Sequence, residues 1–457
     1  MNPLRMKKES ALQKSGSYSN DALVGLLSLW LLFENGYGLL QVLGIVTSGH
    51  AFFPLTGHFS NPGPFGGFIA MLMAVSAAYV FLYPEDSGGN KWVRILALIA
   101  FAVGFLVLPA SMSRAGWMGL GVALLFLALN NRTVRVLLNK KLWLWVVACV
   151  VGLILVVGGI SLKKDFALGR LHIWRIETRI LVKHLFSGVG PDHFATAYGQ
   201  EQALFFSEKE RPADIVRVAG CPEYAFNEYL KIGVMFGVGG LLLAISTAIA
   251  VCWTLIRRRH PLGYGALALA VFALFSYPFS LWQFQLCGGL FLTAAVCEWL
   301  GKKQWIGYSL FALIAGFLFL VHKNGKGSTI DYRDLYRDGH YLFEAGLYDE
   351  AIPVLEQGAD LSCDPMFHNI LGRCHEALGN PEEAEKEYLL SHFMVPGRLY
   401  PLVLLQELYL SQEDTLRARE MLMEIRKIPV NEKNRNMVLL RERAERHDPV
   451  NPIPEMH

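Results

Sequence analysis

Arg114 stands in SMSRAGWMGL (Ser111 to Leu120), at the head of an apolar run. An arginine at membrane depth is costly and usually pairs or lines a polar cavity, although a snorkelling interfacial side chain is the ordinary alternative. Arg170, Arg175 and Arg179 follow in GRLHIWRIETRI (Gly169 to Ile180). The last two are four apart and share a helical face. A guanidinium pairs bidentately with phosphate oxygens and stays charged, so arginines beside a membrane suit a lipid-linked phosphate or pyrophosphate. Spacing leaves a solvated basic face equally open. CPEYAFNEYLKIG, residues 221 to 233, puts Glu223 and Glu228 at the mouth of a long apolar stretch. A partly desolvated carboxylate has its pKa raised and can serve as a general base, whereas two acids at a helix start also simply suit the dipole. If this stretch is one helix, Glu223 shares a face with Phe226 and Glu228 points elsewhere. The outer loop has no Asp-x-Asp, no His-Glu-x-x-His and no zinc-spaced cysteine pair, so no metal site and no cofactor are expected.

The elements that must position these groups are membrane spans. The chain of 457 residues is 53% hydrophobic and 18% charged, and its apolar runs fill about 21–321. Runs of roughly 20 residues span a bilayer. Nine spans are expected, at 22–46, 63–83, 92–110, 115–130, 142–161, 229–256, 263–280, 285–299 and 305–321. Lys and Arg cluster in the tail 1–21 and in alternate loops, at Lys91, Arg132 to Lys141, Arg257 to Arg259, and Lys302 with Lys303. The connections 47–62 and 281–284 carry neither. Basic loops stay cytoplasmic, so the tail is inside and the loop 162–222 and the C-terminus are outside. The first apolar run is too long for a signal peptide and reads as an anchor. The net charge of +3 belongs to this topology and not to nucleic-acid binding. Of seven cysteines, Cys221, Cys363 and Cys374 face the outer, oxidising side. A helix from about Pro365 sets Cys363 and Cys374 too far apart for a bridge at 1.5 Å per residue.

Beyond Val321 the chain becomes charged and amphipathic and repeats itself. GHYLFEAGLYDEAIPVLEQG from Gly339 returns as GRCHEALGNPEEAEKEYLLS from Gly372, and Ala418 continues the register set by Ala351 and Ala384. Small residues at these places let paired helices approach, and such units stack to bury their apolar faces. Residues 328–445 resemble tetratricopeptide repeats, through GLYDEA and Pro396. The region is either a helical cap or a groove for a peptide or partner protein.

GHFSNPGPFGGFIAM, SRAGWMGL, GR…W…SGVGPDHF and FNEYLKIGVMFGVGG, in this order over about 23–300, resemble the O-antigen ligase and polymerase superfamily. The resemblance implies an all-α fold: a polytopic helical membrane domain, 22–321, in the bacterial inner membrane, followed by the repeat domain in the periplasm. It implies a glycosyltransferase that takes a glycan from undecaprenyl pyrophosphate, without a metal. Arg114 and Arg170 match the arginines that hold the pyrophosphate in that family; Arg175 joins them on spacing. The family's His-Asn-x-Tyr-Leu stands here as Phe226-Asn227-Glu228-Tyr229-Leu230. Asn227 and Tyr229 therefore count as substrate-binding positions, while Phe226 cannot take a proton. That leaves Glu223, and then Glu228, as catalytic candidates, with His172, His184 and His193 as rivals. The acceptor is lipid A core, the growing glycan or a secreted protein. A transporter, or a scaffold recruiting partners through its repeats, is the rival class.

Overall fold

The apolar runs fold as helices wherever the chain offers a start signal. The computed structural model describes residues 3–83, 89–130, 164–210, 212–300, 309 and 331–448, and every regular element among them is helical. Helix α1 (Pro3–Val42) contains the apolar stretch Asp21–Val42. Helix α2 (Pro62–Leu82) begins at Asn61, whose side chain accepts the Gly63 N–H at 2.9 Å, with proline at the first helical position, where no donor is needed. Asn90 caps α3 (Lys91–Ala110) through the Trp92 N–H at 2.9 Å. Further on come α4 (Arg114–Asn130), α5 (Lys164–Lys183), α6 (Phe194–Ser207), α7 (Ala213–Val218), α8 (Glu228–Arg257), α9 (Leu262–Ala273) and α10 (Trp282–Leu300). The chain packs as two bodies. One takes Met1–Leu162, Phe226–Tyr229 and Leu242–Asn324, the other Lys163–Ala225, Leu230–Leu241 and Gly325–His457.

In the first body α2 is buried almost throughout from Pro62 to Tyr79 and packs against α1, α3, α4 and α9. Large apolar side chains elsewhere, such as Leu26, Phe105, Leu106, Leu242 and Trp253, are left exposed, as lipid-facing positions are. Four described helices are long and apolar enough to cross a membrane: Asp21–Val42, Pro62–Leu82, Lys91–Ala110 and Glu228–Arg257. Arg114–Asn130 and Leu262–Ala273 are apolar but shorter. The expected span 263–280 is not one helix. Helix α9 stops at Ala273, and Pro278–Ser280 makes a 3-10 turn before α10, because proline cannot supply the N–H that would continue the helix. The expected span 142–161, and all of 305–321 but Ser309, lie outside the described residues.

In the second body the loop and the repeats pack together. Helices α11 (Tyr332–Glu344) with α12 (Tyr348–Ala359), α13 (Met366–Ala377) with α14 (Pro381–Met394), and α15 (Tyr400–Ser411) with α16 (Thr415–Lys427) form successive hairpins, closed by α17 (Arg435–Arg446). Gly346 and Gly379 turn the first two hairpins at φ +76° and +78°, and Glu413 takes the corresponding place in the third at φ +64°. A Cβ on Gly339 would lie 2.6 Å from Leu355, and one on Gly372 would lie 2.3 Å from Tyr388, so both glycines set the hairpin spacing. In the third unit the matching position is Gln406, buried, with its amide donating to the Ala444 carbonyl at 3.0 Å. Helix α14 lies against α6. There the Gln202 amide donates to the Met394 carbonyl and the Thr196 hydroxyl to the Asp360 carbonyl. Cys363 does pair, not with Cys374 but with Cys221, across 142 residues of sequence. Cys374 is buried as a free thiol, pushed up to about 11 by its burial.

Candidate functional site

Arg114 is delivered by a turn that clasps the start of α2. Met112 sits at φ +50°, the Ser111 hydroxyl donates to the Leu108 carbonyl at 2.6 Å, and the Ser113 hydroxyl donates to the Gly63 carbonyl at 2.7 Å. Two glycines make the clasp: a Cβ on Gly66 would lie 2.3 Å from the Ser111 Oγ, and one on Gly116 would lie 2.7 Å from the Gly66 carbonyl oxygen. The motifs SMSRAG and NPGPFGG thus form one local structure, and Arg114 is half-buried as the first residue of α4. A guanidinium at the positive end of a helix is an environment for an anion.

At the same end of the first body, Phe226 to Tyr229 are fastened to the break between α9 and α10. Phe226 takes φ +54°, a conformation that costs a bulky residue about 1 kcal/mol or more, and packs edge-on against Tyr277. Glu228 is buried, and its carboxylate accepts the Phe279 N–H at 2.9 Å. The Tyr229 hydroxyl donates to the Ala270 carbonyl at 3.1 Å, and Asn227 is half-buried between these contacts. Helix α8 begins only at Glu228, and residues 219–227 are not helical. The expected shared helical face of Glu223 and Phe226 therefore does not exist.

The second body holds Arg170, Arg175 and Glu223. Arg170 is half-buried and Arg175 is exposed, both on α5. Arg179, which shares the face of Arg175, is committed: it bonds Glu208 at 2.6 Å and Glu201 at 2.5 Å. These two hydrogen-bonded carboxylates, Glu208 foremost, hold its guanidinium still further above its ordinary range, and its fork is filled. Glu223 is exposed, accepts the Tyr224 hydroxyl at 3.3 Å and lies 3.9 Å from Arg333 of α11. Burial first, and then Glu223, pushes the Tyr224 phenol up. Of the rival bases, His172 is buried and bonded to Gln202 at 2.9 Å, while His184 and His193 are exposed.

SGVG, residues 187–190, is a backbone device. The N–H groups of Val189 and Gly190 donate to the carbonyls of Val234 and Met235 at 2.9 and 3.0 Å, and the Val238 N–H donates to the Leu185 carbonyl at 2.7 Å. Helix α8 opens for this at Gly237, where φ is +71° and a Cβ would lie 2.6 Å from the Phe186 carbonyl oxygen. One pair escaped the reading of the sequence. Glu34 of α1 is buried beside His58, their Oε2 and Nδ1 3.2 Å apart. An acidic residue inside an apolar run was its signal.

Residues 99–245, about a third of the chain, match the family model described as O-antigen ligase. The match spans Arg114, Arg170, Arg175, Glu223 and Asn227 to Tyr229, and supports the O-antigen ligase superfamily as the kinship of this segment. No curated protein matches the chain.

Proposed function

We propose that this chain is a multi-pass enzyme of the bacterial inner membrane that moves an oligosaccharide or polysaccharide from undecaprenyl pyrophosphate to an acceptor on the periplasmic side. The family match over 99–245 carries the reading, because O-antigen ligases perform glycan transfer and the matched segment supplies a half-buried arginine at a helix start. Arg114, Arg170 and Arg175 bind phosphate oxygens and stabilise the departing charge, so the reading uses no metal and no cofactor. An acceptor hydroxyl attacks the anomeric carbon, the bond to the pyrophosphate oxygen breaks, and the hydroxyl proton passes to a base. Of the two glutamates, Glu228 is occupied with Phe279 and positions the start of α8, which leaves Glu223 as the carboxylate open to a proton. Asn227 and Tyr229 are assigned to the substrate side of the same segment.

Lipid A core, the glycan itself and a serine or threonine of an exported protein are the three acceptor classes. The helical hairpins after 331, read as a tetratricopeptide-like groove, favour a protein partner. The purified chain is to be incubated with an undecaprenyl-pyrophosphate-linked glycan and each acceptor class in turn. A new glycosidic bond on one of them is the expected result. Donor binding with no bond to any acceptor would instead mark a carrier or scaffold.

A further inference from the structure

Glu34 occupies an expensive place. It lies within Asp21–Val42, a stretch apolar enough to cross a membrane, and its side chain is 3% exposed. A carboxylate so placed needs a partner, and an ionisable group at membrane depth is by default a functional one. The partner is His58, from the loop before α2. Its Nδ1 lies 3.2 Å from Glu34 Oε2, and its backbone N–H lies 3.5 Å from the same oxygen. The approach depends on Gly57, at φ +58°, where a Cβ would lie 3.0 Å from that oxygen and 2.3 Å from the Phe65 ring.

The imidazole is also held in plane. It stacks on Tyr37 at 3.9 Å and on Phe33 at 5.1 Å between centroids, so three neighbours on one stretch of α1 fix its orientation. With Nδ1–H donating to a carboxylate, the neutral ring carries its lone pair on Nε2. His58 is 37% exposed, so the ring is not sealed in. Among the described residues, the titratable side chains beside it are Glu34 and Tyr37. Phe65, which meets Gly57, is followed by Gly66, which meets Ser111 and Ser113 beside Arg114, so His58 belongs to the end of the first body that carries that arginine.

We infer that His58, oriented by Glu34, accepts the proton of the acceptor hydroxyl. The inference rests on the proposed transfer and names its base. The hydroxyl proton moves to Nε2, the oxygen bonds to the anomeric carbon, and the pyrophosphate leaves with the electron pair of the broken bond. The imidazolium then returns its proton to water. His58 is catalytic in this scheme, Glu34 is a positioning residue, and Glu223 competes for the base role.

The test compares His58→Gln, Glu34→Gln and Glu223→Gln in the purified full chain. The donor is a synthetic undecaprenyl-pyrophosphate-linked disaccharide; the acceptors are a serine-containing peptide, a lipid A core oligosaccharide and the free disaccharide. His58→Gln is expected to lower kcat about a hundredfold or more with KM for the donor unchanged. Glu223→Gln is expected to lower kcat by far less than His58→Gln does. Glu34→Gln lowers kcat severalfold with KM for the donor unchanged, and added imidazole partly restores a His58→Ala enzyme. A second readout needs no transfer: diethyl pyrocarbonate modifies His58, and Glu34→Gln changes the rate of that reaction. Wild-type transfer with near-normal His58→Gln, or a large loss confined to Glu223→Gln, overturns the assignment of the base alone. An unchanged labelling rate overturns the role of Glu34. Wild-type protein that glycosylates none of the three acceptors overturns the proposed transfer, and this inference with it.

Discussion

At the scale of single residues, the arginines divide by what already holds them. Arg179 has two carboxylates in its fork and is a structural pin between α5 and α6. Arg114, at the first turn of α4, and Arg170, half-buried on α5, are the two that the proposed reaction needs. Each is predicted to fail as lysine, because a point charge cannot reproduce two parallel hydrogen bonds to a phosphate. One such contact is worth about 1.5–3 kcal/mol, so Arg114→Lys and Arg170→Lys should each slow transfer roughly tenfold to a hundredfold at equal protein level. Initial rates with a lipid-linked donor measure this, and near-normal rates in both would remove the arginines from phosphate binding.

At the scale of elements, the opening of α8 at Gly237 and the docking of SGVG are one event. A side chain at 237 meets carbonyl oxygens of both Leu185 and Phe186 and requires a left-handed backbone. Gly237→Ala is expected to destabilise the fold by more than the ~1 kcal/mol of an ordinary alanine-for-glycine misfit, and a lowered thermal midpoint of the detergent-solubilised chain reports it. The repeats carry a separate liability in His392 of α14, whose Nδ1 is buried without a hydrogen-bond partner among the described residues. Burial holds this imidazole down at about 4, against a small opposing pull from Glu424. The unfolded chain, with an ordinary pKa near 6.5, therefore takes up the proton first as pH falls. Stability is full above about pH 6.5 and declines toward pH 4, on the order of 1 kcal/mol per pH unit. Thermal midpoints recorded across that window should fall in the wild type and fall less in His392→Gln.

At the scale of the whole molecule, packing groups the chain differently from sequence order. The loop 163–225 shares a body with the repeats, and the Cys221–Cys363 bond ties them covalently. Such a bond needs both cysteines in one oxidising compartment. Cysteine-directed labelling of intact membranes is expected to leave Cys221 and Cys363 unmodified until a reductant is added. Reporter fusions in the loop and after 331 should then give the same, outer signal. Cys221→Ser or Cys363→Ser removes a cross-link over a long loop and should cost about 2–4 kcal/mol of stability. Ready labelling of both thiols without reductant, or opposite reporter signals, would break the shared compartment.

Composition and period alone established that this chain is helical, that much of it is apolar enough for a membrane, and that a 33-residue register organises its end. Those properties are local: a cap such as Asn61, or a turn glycine such as Gly346, acts within a few residues of itself. The resemblance over four motifs also pointed to the family that matches 99–245. The helical face proposed for Glu223 was lost because nothing local forces a helix before Glu228. The filling of Arg179, the use of Glu228 on Phe279, the partner of Cys363 and the pairing of Glu34 with His58 were decided only by tertiary structure. Each is a contact between residues 22 to 142 positions apart, and no periodicity in a single sequence encodes which distant carboxylate, N–H or thiol will arrive.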